Sequence, residues 1–338
     1  MTFSRSALSS ALLALLSTGA LAQPAANACV NEADDAKRLA CYDRASGRGA
    51  AAAPAAVATP APAAAPAPAE AAAPSVLAQR LDATDPSALP AKWFSLTAHR
   101  TNYVLAYSYN GNADFDVYSQ FGDTDKLEDG EVKYQFSLKT PLWPQMGGSS
   151  ISLWGAFTIQ SWWQAYASDV SAPFRETNYE PEIFAAMPVQ GSLWGINFRE
   201  VALGLNHQSN GRTDPLSRSW NRVTGRVIFD SGNLAGYARL WARIQESEED
   251  DDNPNIERYL GQGEFALAYR WGQQTFAGIL KNNLRADNRS GLQLDWTFPL
   301  NKHLKGYVQG YVGYGENMID AEQSAERIGF GLMLADWF

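Results

Sequence analysis

The chain has 338 residues, 46% of them hydrophobic and 12% aromatic, with a formal net charge of −9. No run of about 18 apolar residues occurs in its body, which excludes a transmembrane helix there, and an acidic balance without a basic stripe excludes nucleic acid as a partner. A high aromatic load with a mean hydropathy of only −0.29 fits a β-barrel, where lipid-facing and lumen-facing residues cancel in an average; a soluble β-sandwich shares that average.

Residues 1–22 read as a secretory signal peptide. Arg5 supplies the positive start, Ser6 to Ser17 a short apolar region, and Ala20-Leu21-Ala22 a cleavage site before Gln23. Cys29 lies well past that site, so lipid attachment to it is not expected. Residues 23–47 form a small periplasmic segment in which the charged stretch from Asn31 to Arg44 predicts a short helix. Its Cys29 and Cys41 are the only cysteines and are expected to pair in an oxidising compartment; a metal site would need further His or Cys nearby. Residues 48–75 are almost pure Ala and Pro, a composition that buries no core and makes an extended, semi-rigid linker.

Residues 76–338 form the main domain, with regular strand patterning from near Ala91. Leu292, Leu294, Trp296 and Phe298 alternate with Gln293, Asp295 and Thr297; Phe265, Leu267, Tyr269 and Trp271 alternate with Glu264, Ala266, Ala268 and Arg270. Successive strand side chains point to opposite faces, so each strand has one apolar and one polar face. About twelve such segments occur, separated by turn-rich breaks, and the chain ends on Trp337-Phe338 after an alternating run, as outer-membrane barrels do. Trp143, Trp162, Trp163, Trp194 and Trp220 fall near strand ends and are expected in interfacial girdles. The fold class is therefore all-β: a transmembrane antiparallel β-barrel of about twelve strands behind a helical cysteine segment and an Ala/Pro linker.

The stretch Val201 to Phe229 holds two strands around a turn at Asn210 to Leu216. Val201, Leu203 and Leu205 share one face of the first strand, and His207 and Ser209 continue it. On the return strand Val223, Val227 and Phe229 are apolar, and Asn221 shares their parity. Three polar residues on a lipid-facing wall are costly. Serine is a weak nucleophile until a base takes its proton, an imidazole is the natural base, and a third group fixes its tautomer. Ser209, His207 and Asn221 can fill these roles, and an outward site suits an acyl chain already in the bilayer. The bland alternative is a wet interface in which the three bond to headgroups; His-x-Ser alone is a weak motif.

The run Asn206-His207-Gln208-Ser209-Asn210-Gly211-Arg212, followed by Asp214-Pro215 and by Ser217-Arg218-Ser219-Trp220-Asn221-Arg222, resembles the signature of the outer membrane phospholipase A family. Ser161-Trp162-Trp163-Gln164, the stretch from Pro173 to Pro181, Thr101-Asn102-Tyr103 and Gly313-Tyr314-Gly315-Glu316 are similar to the same family. The resemblance spans about Trp93 to Phe338, the whole barrel, and leaves out the cysteine segment and its linker.

This resemblance implies a calcium-dependent phospholipase of the bacterial outer membrane, hydrolysing acyl esters of phospholipids and lysophospholipids. Ser209 would be the nucleophile, His207 the base, Asn221 its orienter, and the Gly211 N–H an oxyanion donor. The Ser217 hydroxyl and Arg212 carbonyl would hold calcium, completed by Ser171 of the partner subunit, so that homodimerisation switches the enzyme on. Asp214 and Asp252 match a second, weaker calcium position, although the acidic run from Glu246 to Asp252 also reads as a solvated or lipopolysaccharide-bridging loop. Where the family has a membrane-embedded Gln at the dimer interface, this chain has Ile159, with Gln160 turned to the lumen, so the dimer is expected to lack that polar contact. A porin-like barrel with a relict hairpin would have lost the nucleophile, base or metal Ser, and all are present; lipid A deacylase barrels also use His and Ser but are smaller.

Overall fold

The computed structural model describes residues 26–46, 77, 95–113, 115–121 and 124–336. The expected signal peptide, the whole of the 48–75 linker, the strand start near Ala91 and the terminal Trp337-Phe338 lie outside the described residues. The chain falls into two units, 1–71 and 72–338.

In the first unit a 3-10 turn, Ala26–Asn31, precedes α1, Asp35–Ala45. The helix starts later than the predicted Asn31 because Asp34 caps it, its carboxylate accepting from the N–H groups of Ala36 and Lys37. Cys29 and Cys41 form the expected disulfide.

The second unit is a closed antiparallel barrel. Its strands are β1 (Thr97–Ala98), β2 (Asn102–Asn110), β3 (Gly130–Trp143), β4 (Ser152–Trp163), β5 (Phe174–Leu193), β6 (Ile196–Ser209), β7 (Ser219–Ser231), β8 (Leu234–Ile244), β9 (Gly263–Trp271), β10 (Gln274–Asn282), β11 (Ser290–Pro299), β12 (Lys305–Gly313) and β13 (Ala325–Ala335). Neighbours in sequence pair in order, β13 returns to β2, and β3 pairs with both β2 and β4, so twelve strands close. The short β1 continues the line of β2 along β3, with Thr97 opposite Lys139 and Tyr103 opposite Gln135. Closure leaves no long unpaired edge, the condition for strands to cross a bilayer.

One end of the barrel carries tight turns, such as Trp194-Gly195 between β5 and β6, where both residues adopt positive φ (52° and 80°), the geometry a two-residue hairpin requires. The other end carries the long loops, including the β8–β9 loop with its single helical turn α2, Ile256–Tyr259. Because β2 leads into a long loop, the chain enters the barrel at the tight-turn end.

Alternation holds as predicted. In β9, Phe265, Leu267, Tyr269 and Trp271 are exposed, whereas Glu264, Ala266 and Ala268 are buried. The apolar side faces out and the charged side in, the inverse of a soluble core. Trp143 and Trp194 lie on the outside, and Trp271, Phe276, Trp296 and Phe298 form a chain of ring contacts at the tight-turn end. Two of the expected girdle tryptophans do not belong there: Trp162 and Trp220 are 0% exposed and point into the lumen. Their position near strand ends suggested a girdle, but parity decides the face, and both share the inward parity of their strands.

The lumen is crossed by buried ion pairs. Glu180 meets Arg100, Arg222 and Arg239. Glu131 meets Arg175 and Arg327, and Glu316 meets Arg327 and Lys133 at 2.8 and 2.9 Å. Burial works against ionised Glu316, but Arg327 and Lys133 outweigh it and hold its pKa down to about 2 from an ordinary 4.5. A depressed carboxylate stabilises the fold above its unfolded value, and that contribution disappears as pH falls from about 4.5 to about 2. Replacing Glu316 by alanine leaves buried Lys133 without a carboxylate and Arg327 with Glu131 alone, and is expected to cost about 3–5 kcal/mol at neutral pH. Thermal unfolding in detergent followed by circular dichroism checks this, and the variant should lose less stability than the wild type between pH 5 and 2.

Candidate active site

The β6–β7 hairpin carries the site. Register places His207 opposite Asn221, Ser209 opposite Ser219 and Leu205 opposite Val223. Leu203, Leu205 and Val223 are exposed on the outer wall, so His207, Ser209 and Asn221 share the lipid-facing side at its long-loop end, as parity predicted. Pro181, Ile183, Leu205 and Ile244 flank His207 and Asn221 in a shallow open groove.

His207 Nδ1 lies 2.9 Å from Asn221 Oδ1. The Asn221 amide has its other end engaged: its Nδ2 donates to Glu246 Oε1 at 2.8 Å. Oδ1 is then the acceptor, Nδ1 carries the proton, and Nε2 is left with the lone pair that a base needs. Ser209 follows His207 by one strand repeat on the same face; among the described residues no hydrogen bond joins the two, a common condition before substrate tightens a site.

The loop between the strands is organised by Asn210, which is 4% exposed. Its Oδ1 accepts from the N–H groups of Arg212 and Arg218, and its Nδ2 donates to the Leu216 carbonyl at 2.8 Å. One buried amide thus ties both ends of the loop together. Gly211 next to it has φ 65°, and a Cβ there would lie 3.1 Å from the Tyr179 ring. Arg212 is anchored on β5, its guanidinium donating to the carbonyls of Phe174 and Arg175.

Ser217 Oγ donates to Asp252 Oδ2 at 2.6 Å, and Asp252 Oδ1 accepts from Ser219 N–H. The structure thus joins one residue of each expected calcium position. Asp214 is exposed on the turn, and Ser171 is exposed in the β4–β5 loop with φ 62°. Among the described residues no group of three or more His, Cys, Asp or Glu side chains is placed to hold a metal. The oxygens that are present, a hydroxyl beside a carboxylate and nearby carbonyls, are the hard donors that suit calcium rather than a softer metal.

On β4, Ile159 sits outward between Phe136 and Tyr179 of the neighbouring strands, while Gln160 turns in and donates to the Tyr103 hydroxyl at 3.0 Å. The two residues that the sequence reading left without a specific role are Asn210, whose Asn-Gly step marked only a turn, and Glu246, one of several acids in a loop.

A family model described as Phospholipase A1 matches residues 78–334. Phospholipase A1 of Proteus vulgaris is 36% identical over 245 residues, covering 72% of this chain and 83% of that protein; the Escherichia coli K12 protein of the same description gives the same figures. Among solved structures, Escherichia coli outer membrane phospholipase A superposes with a TM-score of 0.69 at 35% identity, covering 72% of this chain and 93% of its own. A Salmonella typhi outer membrane phospholipase, solved as a dimer with bound calcium, has the same TM-score at 36% identity and covers 72% and 94%.

Proposed function

The chain belongs to the phospholipase A1 family, and from that premise we propose that it hydrolyses acyl esters of phospholipids and lysophospholipids with Ser209, His207 and Asn221, using calcium and a homodimer. It is an integral outer-membrane barrel. The observation that carries the reading is the His207–Asn221 hydrogen bond, in line with Ser209 on the lipid-facing wall.

Ser209 Oγ attacks the ester carbonyl as its proton passes to His207 Nε2. The Gly211 N–H donates to the carbonyl oxygen as it becomes negative. His207 then gives the proton to the departing alcohol oxygen, leaving an acyl group on Ser209 and a lysophospholipid. Water, deprotonated by His207, releases the fatty acid and restores the serine. Ser217, the Arg212 carbonyl and Ser171 of the partner subunit would hold calcium, whose charge would support the developing negative oxygen. Asp214 and Asp252 form a second, weaker position. A lone protomer would lack part of the catalytic metal shell and stay idle in an intact membrane. Ile159 leaves the outer wall of β4 apolar, so the dimer has no polar contact at that position. The N-terminal cysteine segment lies in the periplasm, because the chain enters the barrel at its tight-turn end and long loops of such barrels are extracellular.

Fatty-acid release from a fluorescent phospholipid by refolded protein in detergent micelles tests the reading, and a folded, calcium-loaded dimer with no hydrolysis would overturn it. Asn210→Ala should leave the barrel folded, because the loop lies outside the strands, but lower kcat by about 10-fold or more through loss of the two tethered loop ends. Unchanged kcat would mean that the loop holds its shape without that amide.

A further inference from the structure

The third member of a serine triad is commonly a carboxylate, and an amide in its place orients the ring without supplying negative charge. In this chain a carboxylate stands one step further on. Asn221 pairs with Ile244 at the end of β8, and Glu246 lies two residues beyond Ile244, in line with its outward parity. His207, Asn221 and Glu246 therefore form a row across β6, β7 and the extension of β8, linked by hydrogen bonds of 2.9 and 2.8 Å. The Glu246 side chain is 19% exposed, and its second oxygen, Oε2, is buried without a hydrogen bond, 3.6 Å from the Arg243 guanidinium. Arg243 is shared: it also pairs with Asp251 at 2.7 Å and donates to Asn253. One cation against two carboxylates leaves this cluster net negative behind Asn221. A solvated loop acid would not be held in this way.

We propose that Glu246 is a positioning residue that acts through Asn221. It locks the amide with its oxygen toward His207 and polarises that oxygen, so that the negative charge missing from the triad reaches the imidazole through one amide. A hydrogen bond from an amide N–H to a carboxylate strengthens what the same amide accepts, because bonds in a chain polarise one another. The relay also gives a reason for the amide at 221: an aspartate there would face Glu246 directly, and two adjacent carboxylates oppose each other's ionisation. The inference rests on Ser209, His207 and Asn221 being the triad.

The test is a set of variants assayed for phospholipid hydrolysis, each checked for barrel folding and calcium-dependent cross-linking. Glu246→Gln can hold the amide but brings no charge, and kcat should fall about 3- to 10-fold with KM unchanged, Glu246→Ala falling further. Asn221→Asp alone should fall about 10-fold or more. The exchanged pair Asn221→Asp with Glu246→Gln, which moves the carboxylate next to His207 and the amide behind it, should recover most of the wild-type kcat. Glu246→Gln should have no further effect in an Asn221→Ala background. Wild-type kcat in both Glu246 variants, independent effects of positions 221 and 246, or an exchanged pair worse than Asn221→Asp would each overturn the relay. Full activity in Ser209→Ala would instead overturn the triad on which it rests.

Discussion

Ser209→Ala will reduce phospholipid hydrolysis by about 10³-fold or more, leaving only what the oxyanion donor and substrate binding provide. Few structural side effects are expected. Ser209 is the last residue of β6, half-buried on the outer wall, and the buried lumenal networks do not include its side chain. The variant should therefore fold, keep its melting temperature and still dimerise with calcium. His207→Ala should fall comparably, and the double variant should be no worse than either, because a nucleophile and its base act as one unit. Asn221→Ala should be milder, since the ring keeps its place on the strand and loses only its orienting partner. Hydrolysis retained in Ser209→Ala would move the nucleophile elsewhere on the barrel.

Mixing two inactive variants should restore activity. Ser171→Ala lacks the metal ligand that each protomer lends to the other, and Ser209→Ala lacks the nucleophile, so each homodimer is expected to be nearly inert. In a mixed dimer the protomer with intact Ser209 receives Ser171 from its partner, and one site is complete. Random equal mixing gives one working site in half of the dimers, about a quarter of wild-type activity. If Ser171 served its own protomer, the mixture would stay inactive. A chelator should abolish the recovered activity. Calcium should restore it better than magnesium, which demands stricter octahedral geometry. Ser217→Ala should raise the calcium needed for half-maximal rate by about 10-fold. An unshifted calcium curve would remove Ser217 from the shell, leaving its hydrogen bond to Asp252 as a purely structural contact.

The pleat of a strand is a local property, and whatever depends on it was readable from the sequence. A residue's parity sets its face, so the alternation of β9 and the outward row of Leu205, His207 and Ser209 followed from spacing alone, whereas the inward turn of Gln160 was expected from the family resemblance. The disulfide was legible because only two cysteines exist. Reading tryptophans by their nearness to strand ends failed for Trp162 and Trp220, and parity would have placed both inside. Tertiary structure decided what joins residues on different strands. The pairing of His207 with Asn221 needs the register of β6 on β7. The contact of Asn221 with Glu246, across 25 positions, also needs the register of β7 on β8 and the course of the loop beyond it. A run of acids looks uniform along the chain. Only the ladder and that loop determine which one reaches the amide, because hydrogen bonds between neighbouring strands, and not the order of residues, bring those oxygens and nitrogens within bonding distance.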